Sequence, residues 1–241
     1  MQYKIVLSDE LLKEFYKFKR SSDFDKNLIE KLFNYYTGGE LTNVAQLKRI
    51  GIDDTRLLSN LSKANPKYRD KTLEELCEET IYKFILNTER DDYPYINIHS
   101  DKIERNFTAT YTKNESRQKT IEHIKALCKN AQYVFIYDKF INEEIIREIA
   151  KILPKKRLNI IHTKIYNDNT KQWELNFSQT QITLFKNICK DWIIKEDRRN
   201  TYKNYHDRYL LIDNQIEIIL TSGFDYLFDE NKEFTYIVRK K

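Results

Sequence analysis

The 241-residue sequence predicts an α/β protein (α+β overall) in two parts. A mostly α-helical region, residues 1–92, precedes a C-terminal region, 93–241, built on a mixed β-sheet flanked by helices. Three observations carry this. Apolar residues recur at helical spacing through the first part. A charged turn at 87–95, with Asp91, Asp92 and Pro94, marks the boundary. Beyond it strand-like runs alternate with helical ones and end in three closing strands, an order that implies a mixed sheet.

In the first part, a strand is expected at 3–7. Ser8 then caps a helix whose stripe is Leu11, Leu12, Phe15 and Phe18. A second stripe, Leu28, Ile29, Leu32, Phe33 and Tyr36, ends at Gly38-Gly39. Residues 41–61 read as shorter helices broken at Gly51. Thr72 and Glu75 form a capping box for a helix carrying Leu73, Leu76, Cys77, Ile81 and Phe84.

In the second part, 95–98 reads as a short strand. Residues 116–129 form a helix with Ile121, Ile124, Leu127 and Cys128 inward. A buried strand at 133–137 ends at Asp138, and Asn142 caps a helix burying Ile145, Ile149, Ile152 and Leu153. Pro154 and a basic turn lead to a strand at 158–162. Ser178 with Gln181 caps a helix packing Ile182, Phe185, Cys189 and Trp192. Strands at 205–212, 216–220 and 234–238 close the sheet.

Composition narrows the function classes. With four glycines in the chain, the glycine-rich loops that cradle nucleotide phosphates on backbone amides are excluded, so phosphate chemistry must use side chains. No apolar run is long enough for a transmembrane segment. The N-terminus lacks a signal-peptide shape, and Cys77, Cys128 and Cys189 are widely spaced. Buried thiols in a cytoplasmic protein, with no metal site and no cofactor, are therefore expected. A net charge of +5 permits an anionic partner without demanding one.

The chemistry concentrates in His206-Asp207-Arg208-Tyr209-Leu210-Leu211-Ile212-Asp213, followed by Thr221-Ser222-Gly223-Phe224-Asp225-Tyr226-Leu227. On a strand, His206 and Arg208 share a face. An imidazole beside a fixed guanidinium can attack or grip a phosphate. As a structural alternative, His206 pairs with Asp207 or Asp225 at a strand end. Asp213 orients a turn or a neighbouring side chain. Asp138 holds the site or caps a turn, and His162, also at a strand end, reaches the same cleft or sits in a solvated loop. The run 195–203, including Arg198, Arg199 and Lys203, interleaves cations with Tyr202, which suits a nucleic-acid backbone or lipid headgroups. A solvated loop balanced by Glu196 and Asp197 fits equally.

Residues 93–241 resemble the phospholipase D superfamily, and within it the C-terminal domain of MIT-domain proteins. His206-x-Arg208-x4-Asp213 keeps the spacing of the superfamily's H-x-K-x4-D, with arginine for lysine. Gly223 and Asp225 fall in register with the G-R-G-L-D-Y-F that follows H-D-R in the MIT-type variant. Ile136-Tyr137-Asp138-Lys139-Phe140-Ile141 is similar to that family's D-P-Y-I segment. The resemblance implies a metal-independent phosphodiesterase with His206 as nucleophile and Arg208 as phosphate clamp, assisted by Asp213 and Asp225. Asp138, Thr221, Ser222, Arg198, Arg199 and Lys203 would bind or orient phosphate. A single motif copy implies a homodimer, and nucleic acid is the expected partner. The MIT-type relatives imply the alternative, a non-catalytic module for acidic phospholipid, nucleic acid or a protein. The first 92 residues are expected to recognise a partner or trigger, as in small bacterial defence or toxin modules.

Overall fold

The computed structural model describes residues 3–36, 38–167, 170–197 and 206–241, apart from the side chain of Arg105. The chain divides into two compact units, Met1–Arg105 and Asn106–Lys241. Among the described residues, no helix is long and apolar enough to cross a membrane.

The first unit runs β1 (Ile5–Leu7), α1 (Asp9–Arg20), α2 (Lys26–Tyr35), β2 (Glu40–Leu41), α3 (Val44–Arg49), α4 (Thr55–Ala64), α5 (Leu73–Cys77), β3 (Ile85–Asn87) and β4 (Tyr95–Asn97). Its helix starts follow the sequence closely. Ser8 Oγ accepts from the Leu11 amide, Asp25 caps α2, and Thr72 and Glu75 form the reciprocal capping box. Acidic residues open α1 and Lys17, Lys19 and Arg20 close it, complementing the helix dipole. Gly51 takes φ +82° between α3 and α4.

Four findings differ from the expectations for this unit. Helices make up most of its regular structure, as expected, but four short strands also form a parallel sheet, β2-β1-β3-β4. Strands of two or three residues, buried on both faces, are too short to show a period of two. The helix expected to reach Phe84 stops at Cys77. Thr80 Oγ1 donates to the Cys77 carbonyl and accepts from the Lys83 amide, and Lys83 at φ +52° turns Phe84 into β3. The strand at 95–98 pairs with β3 in this first sheet, so the units part after residue 105 and not at 92. Finally, Phe18 and Phe33 are exposed and meet edge-to-face at 5.3 Å.

The second unit runs β5 (Thr108–Tyr111), α6 (Gln118–Cys128), β6 (Tyr133–Tyr137), α7 (Glu143–Ile152), β7 (Leu158–His162), β8 (Lys164–Asn167), β9 (Gln172–Leu175), α8 (Gln179–Ile188), β10 (Trp192–Glu196), β11 (Arg208–Ile212), β12 (Ile216–Leu220), α9 (Phe224–Phe228) and β13 (Phe234–Lys240). Its mixed sheet has the order β10-β7-β6-β11-β12-β13-β5. β10, β7 and β6 are parallel, and β11 runs antiparallel to β6 and begins an antiparallel half. Successive residues alternate faces. Phe135, Tyr137, Ile161, Tyr209, Leu211 and Ile219 pack together on one face. The other face meets α8 through Phe185 on Trp192 and α6 through His123 on Tyr236, with α7 beside both helices.

Four of this unit's strands went beyond the sequence reading: β5, β10 and the two of the β8–β9 hairpin. Trp192 does not extend the helix before it. α8 ends at Ile188, and Trp192 opens β10, its indole N–H donating to the Pro154 carbonyl.

This topology creates two rims. One gathers the ends of β6, β7, β10 and β12 with the start of β11. The other gathers the starts of β6, β7 and β12 with the end of β11.

Candidate functional site

The site lies on the first rim, and the register places it. Tyr209 pairs with Tyr137, so one residue further Arg208 stands opposite Asp138. On its other side Arg208 pairs with Leu220, which delivers the turn Thr221-Ser222-Gly223.

Asp138 is 2% exposed and joins three parts of this rim. Its Oδ1 accepts from the Phe140 amide at 2.9 Å and its Oδ2 from the Phe224 amide at 2.8 Å. Arg208 Nε stands 3.8 Å from Oδ1. Burial raises the Asp138 carboxyl above its ordinary range, while the two amides and the guanidinium pull it back and Asp225 pushes it further up.

Arg208 is held from several directions. Its NH1 donates to the carbonyls of His206 (3.2 Å) and Thr221 (3.3 Å). The guanidinium lies 5.2 Å from the centre of the Phe140 ring. Nε is buried without a hydrogen-bond acceptor, facing Asp138, so the exposed 17% of the side chain lies elsewhere along it. Gly223 makes this packing sterically feasible. At φ +117°, a Cβ there would stand 2.8 Å from Asp225 Oδ1, 2.9 Å from Asp138 Oδ2 and 3.6 Å from Arg208 Nε. Only glycine fits so close to two carboxylates. A fixed, partly exposed guanidinium with a carboxylate behind it has the chemistry to receive one oxyanion.

No family model matches the chain, and no curated protein does.

The other predicted residues sort by position. Asp225 is on this rim, and its Oδ2 accepts from Lys232 Nζ at 3.0 Å. Lys232 also stands 4.5 Å above the Tyr226 ring. This lysine, from the loop before β13, had no signal in the sequence because only the turn after α9 brings it back. Thr221 contributes its carbonyl to Arg208, while its hydroxyl bonds the Thr235 backbone. Ser222 is half-buried within the same turn. His206 is exposed and precedes β11, so it does not share a strand face with Arg208 as its spacing suggested. Arg198, Arg199 and Lys203 lie outside the described residues.

Asp213 is not part of this group. It sits beyond the far end of β11, at φ +49°, where its Oδ1 accepts from the Gln132 and Tyr133 amides. Its work there is to fasten a turn. A cavity of about 500 Å³, lined by Asn130, Gln132, Asn159, Asn214 and others, opens beside it on the second rim.

His162 ends β7 on the first rim but is buried, stacked on Phe177 at 4.7 Å. Burial lowers its pKa, so it is not the solvated loop residue of the simpler reading. Among the described residues, no group of three or more His, Cys, Asp or Glu is placed to hold a metal ion.

Proposed function

We propose that the second unit is a phosphodiesterase of the phospholipase D type acting on nucleic acid, with Arg208 as its phosphate clamp and His206 as its nucleophile. The observation that supports this reading is the fixation of Arg208 between Asp138 and two backbone carbonyls. A cation so held loses little freedom when a phosphate arrives, and its free N–H groups can hold two non-bridging oxygens.

In this reading the His206 imidazole attacks phosphorus and the P–O bond to the leaving group breaks. A phosphohistidine forms, and the leaving oxygen takes a proton from a second imidazole. In a homodimer that imidazole is His206 of the partner subunit. Water then attacks phosphorus, giving its proton to the second imidazole, as the P–N bond breaks and the phosphate product is released. Every protein group in these steps is a side chain, so the reaction persists in EDTA.

The test is incubation of the purified protein with DNA and RNA in EDTA. Cleavage that survives chelation and disappears in His206→Ala supports the reading. Cleavage lost on chelation, or retained by that variant, overturns it.

One observation favours a second reading, phosphate binding without turnover. An arginine tied to carbonyls stands where the resembling motif has lysine, and such a group holds an anion without following a moving phosphoryl group. Binding that depends on Arg208 with no product would distinguish it.

A further inference from the structure

Beside the phosphate clamp, Phe140 is left 65% exposed, the most exposed of the chain's described large apolar side chains. It is not a loose surface residue. Its amide is held at 2.9 Å by the same Asp138 carboxylate that faces Arg208, and its ring lies 5.2 Å from the Arg208 guanidinium. The sequence spends a full aromatic surface at this point, and the rim holds the ring next to its cation.

We infer that Phe140 is a base-stacking platform, and that the site takes single-stranded nucleic acid with one phosphate on Arg208 and a neighbouring base on Phe140. This rests on the phosphate reading above and goes beyond it by assigning the form of the substrate. A largely exposed ring with a guanidinium over one side meets the two recurring groups of a single strand, a phosphate and a base with a free π-face. In a duplex those faces are covered by neighbouring bases, so the ring gains nothing there.

The charge on the rim separates a strand from an anionic membrane. Asp207 adjoins the clamp in sequence, Asp138 lies behind it, and Asp225 is paired with Lys232, so the described residues around Arg208 present no broad excess of positive charge. A broad sheet of anionic headgroups would find little to attract it, whereas a single phosphate can be received on Arg208 alone. One exposed ring is also small for insertion among lipids, which draws on several apolar side chains.

The test uses the full chain and three fluorescent probes of equal length: a single-stranded oligothymidylate, its duplex with oligoadenylate, and an abasic strand that keeps the phosphates but has no bases. Vesicles containing phosphatidylserine form a fourth arm. Wild-type protein should bind the single strand most tightly. Phe140→Ala should weaken that binding about 10-fold, leave the abasic strand unchanged, and be rescued by Phe140→Trp. Arg208→Gln should weaken the single strand and the abasic strand alike. Phe140 is exposed, so its replacement leaves the core intact, and the rescue confirms this.

If Phe140→Ala binds the single strand as well as wild type does while Arg208→Gln fails, stacking is wrong and the phosphate reading stands. If no probe binds, or Arg208→Gln changes nothing, the phosphate reading itself falls. Binding to vesicles that depends on Phe140, without binding to oligonucleotide, overturns the inference in favour of lipid.

Discussion

Arg208 Nε faces Asp138 Oδ1 at 3.8 Å, too long for a hydrogen bond and short enough for strong attraction across a buried gap. The pair is therefore electrostatic, and Asp138 spends its hydrogen bonds on two amides instead. That division of labour makes the carboxyl a reporter of the site. Burial raises its folded pKa above the ordinary 3.8, so the fold holds the Asp138 proton more tightly than the unfolded chain does. The penalty for ionising it is absent below pH 3.8, grows as pH rises, and is complete above the folded value. Carboxyl carbon NMR should show Asp138 titrating above 3.8, and higher still in Arg208→Gln, where the favourable cation is gone. An unshifted midpoint in both proteins would show that the residues do not interact.

Gly223→Ala should damage stability and binding together. The added methyl meets two carboxylate oxygens inside 3 Å at a backbone angle that disfavours a side chain. A cost of about 1–3 kcal/mol is expected from strain of this kind, seen as a lower midpoint in chemical denaturation. Displacing Asp138 and Arg208 should also weaken oligonucleotide binding. A variant as stable and as active as wild type would refute the close packing of this turn.

Asp213→Ala should do the opposite, lowering stability while sparing the site. It removes an acceptor for two amides, worth about 1–2 kcal/mol together. Asp213→Asn should retain part of this, since asparagine tolerates a positive φ and keeps one acceptor. Denaturation and oligonucleotide binding measured on the same samples check the separation. Loss of binding at native stability would return Asp213 to the site.

His162 sets a second pH dependence. Burial lowers its pKa, so the unfolded chain takes up a proton more readily than the folded protein does. Its contribution to stability is present above pH 6.5 and is lost as pH falls through the folded value. Denaturation midpoints between pH 7 and 5 should fall, and His162→Phe, which preserves the stack on Phe177, should reduce the slope. An identical slope in the variant would assign the acid sensitivity elsewhere.

The thiols should separate by accessibility. Burial pushes Cys128 up to about 12 and raises Cys77 as well, whereas Cys189 is only half-buried. Under native conditions a thiol reagent should label Cys189 first, with Cys77 and Cys128 following on unfolding. Early labelling of Cys128 would contradict the packing of α6.

How far the sequence foretold this structure depended on what signal each element carried. Helix starts were readable because one side chain writes each of them: Ser8, Asn142 and Ser178 cap where the sequence placed them. β6 and β7 matched as well, being five-residue runs built mainly on apolar residues. The strands of the first unit were hidden by their brevity, and β10 by a tryptophan that also suits a helix. At the candidate site, the spacing in His206-x-Arg208 misplaced His206, which precedes the strand, while Asp138 was legible as the residue that follows a clear strand. Asp213 was drawn in by sequence proximity alone. A strand of five residues puts its two ends roughly 15 Å apart, a separation that linear spacing conceals. The parts played by Lys232 and by the Phe140 ring depend on turns, which carry no period.

Because β11 has Arg208 at one end and its fastening turn at the other, the second unit offers an experimental convenience. A null protein can be made at Arg208 that keeps the turn at Asp213, and a weakened scaffold can be made at Asp213 that keeps the cation. Comparing the two in cells would separate the phenotype of a silent protein from that of a scarce one.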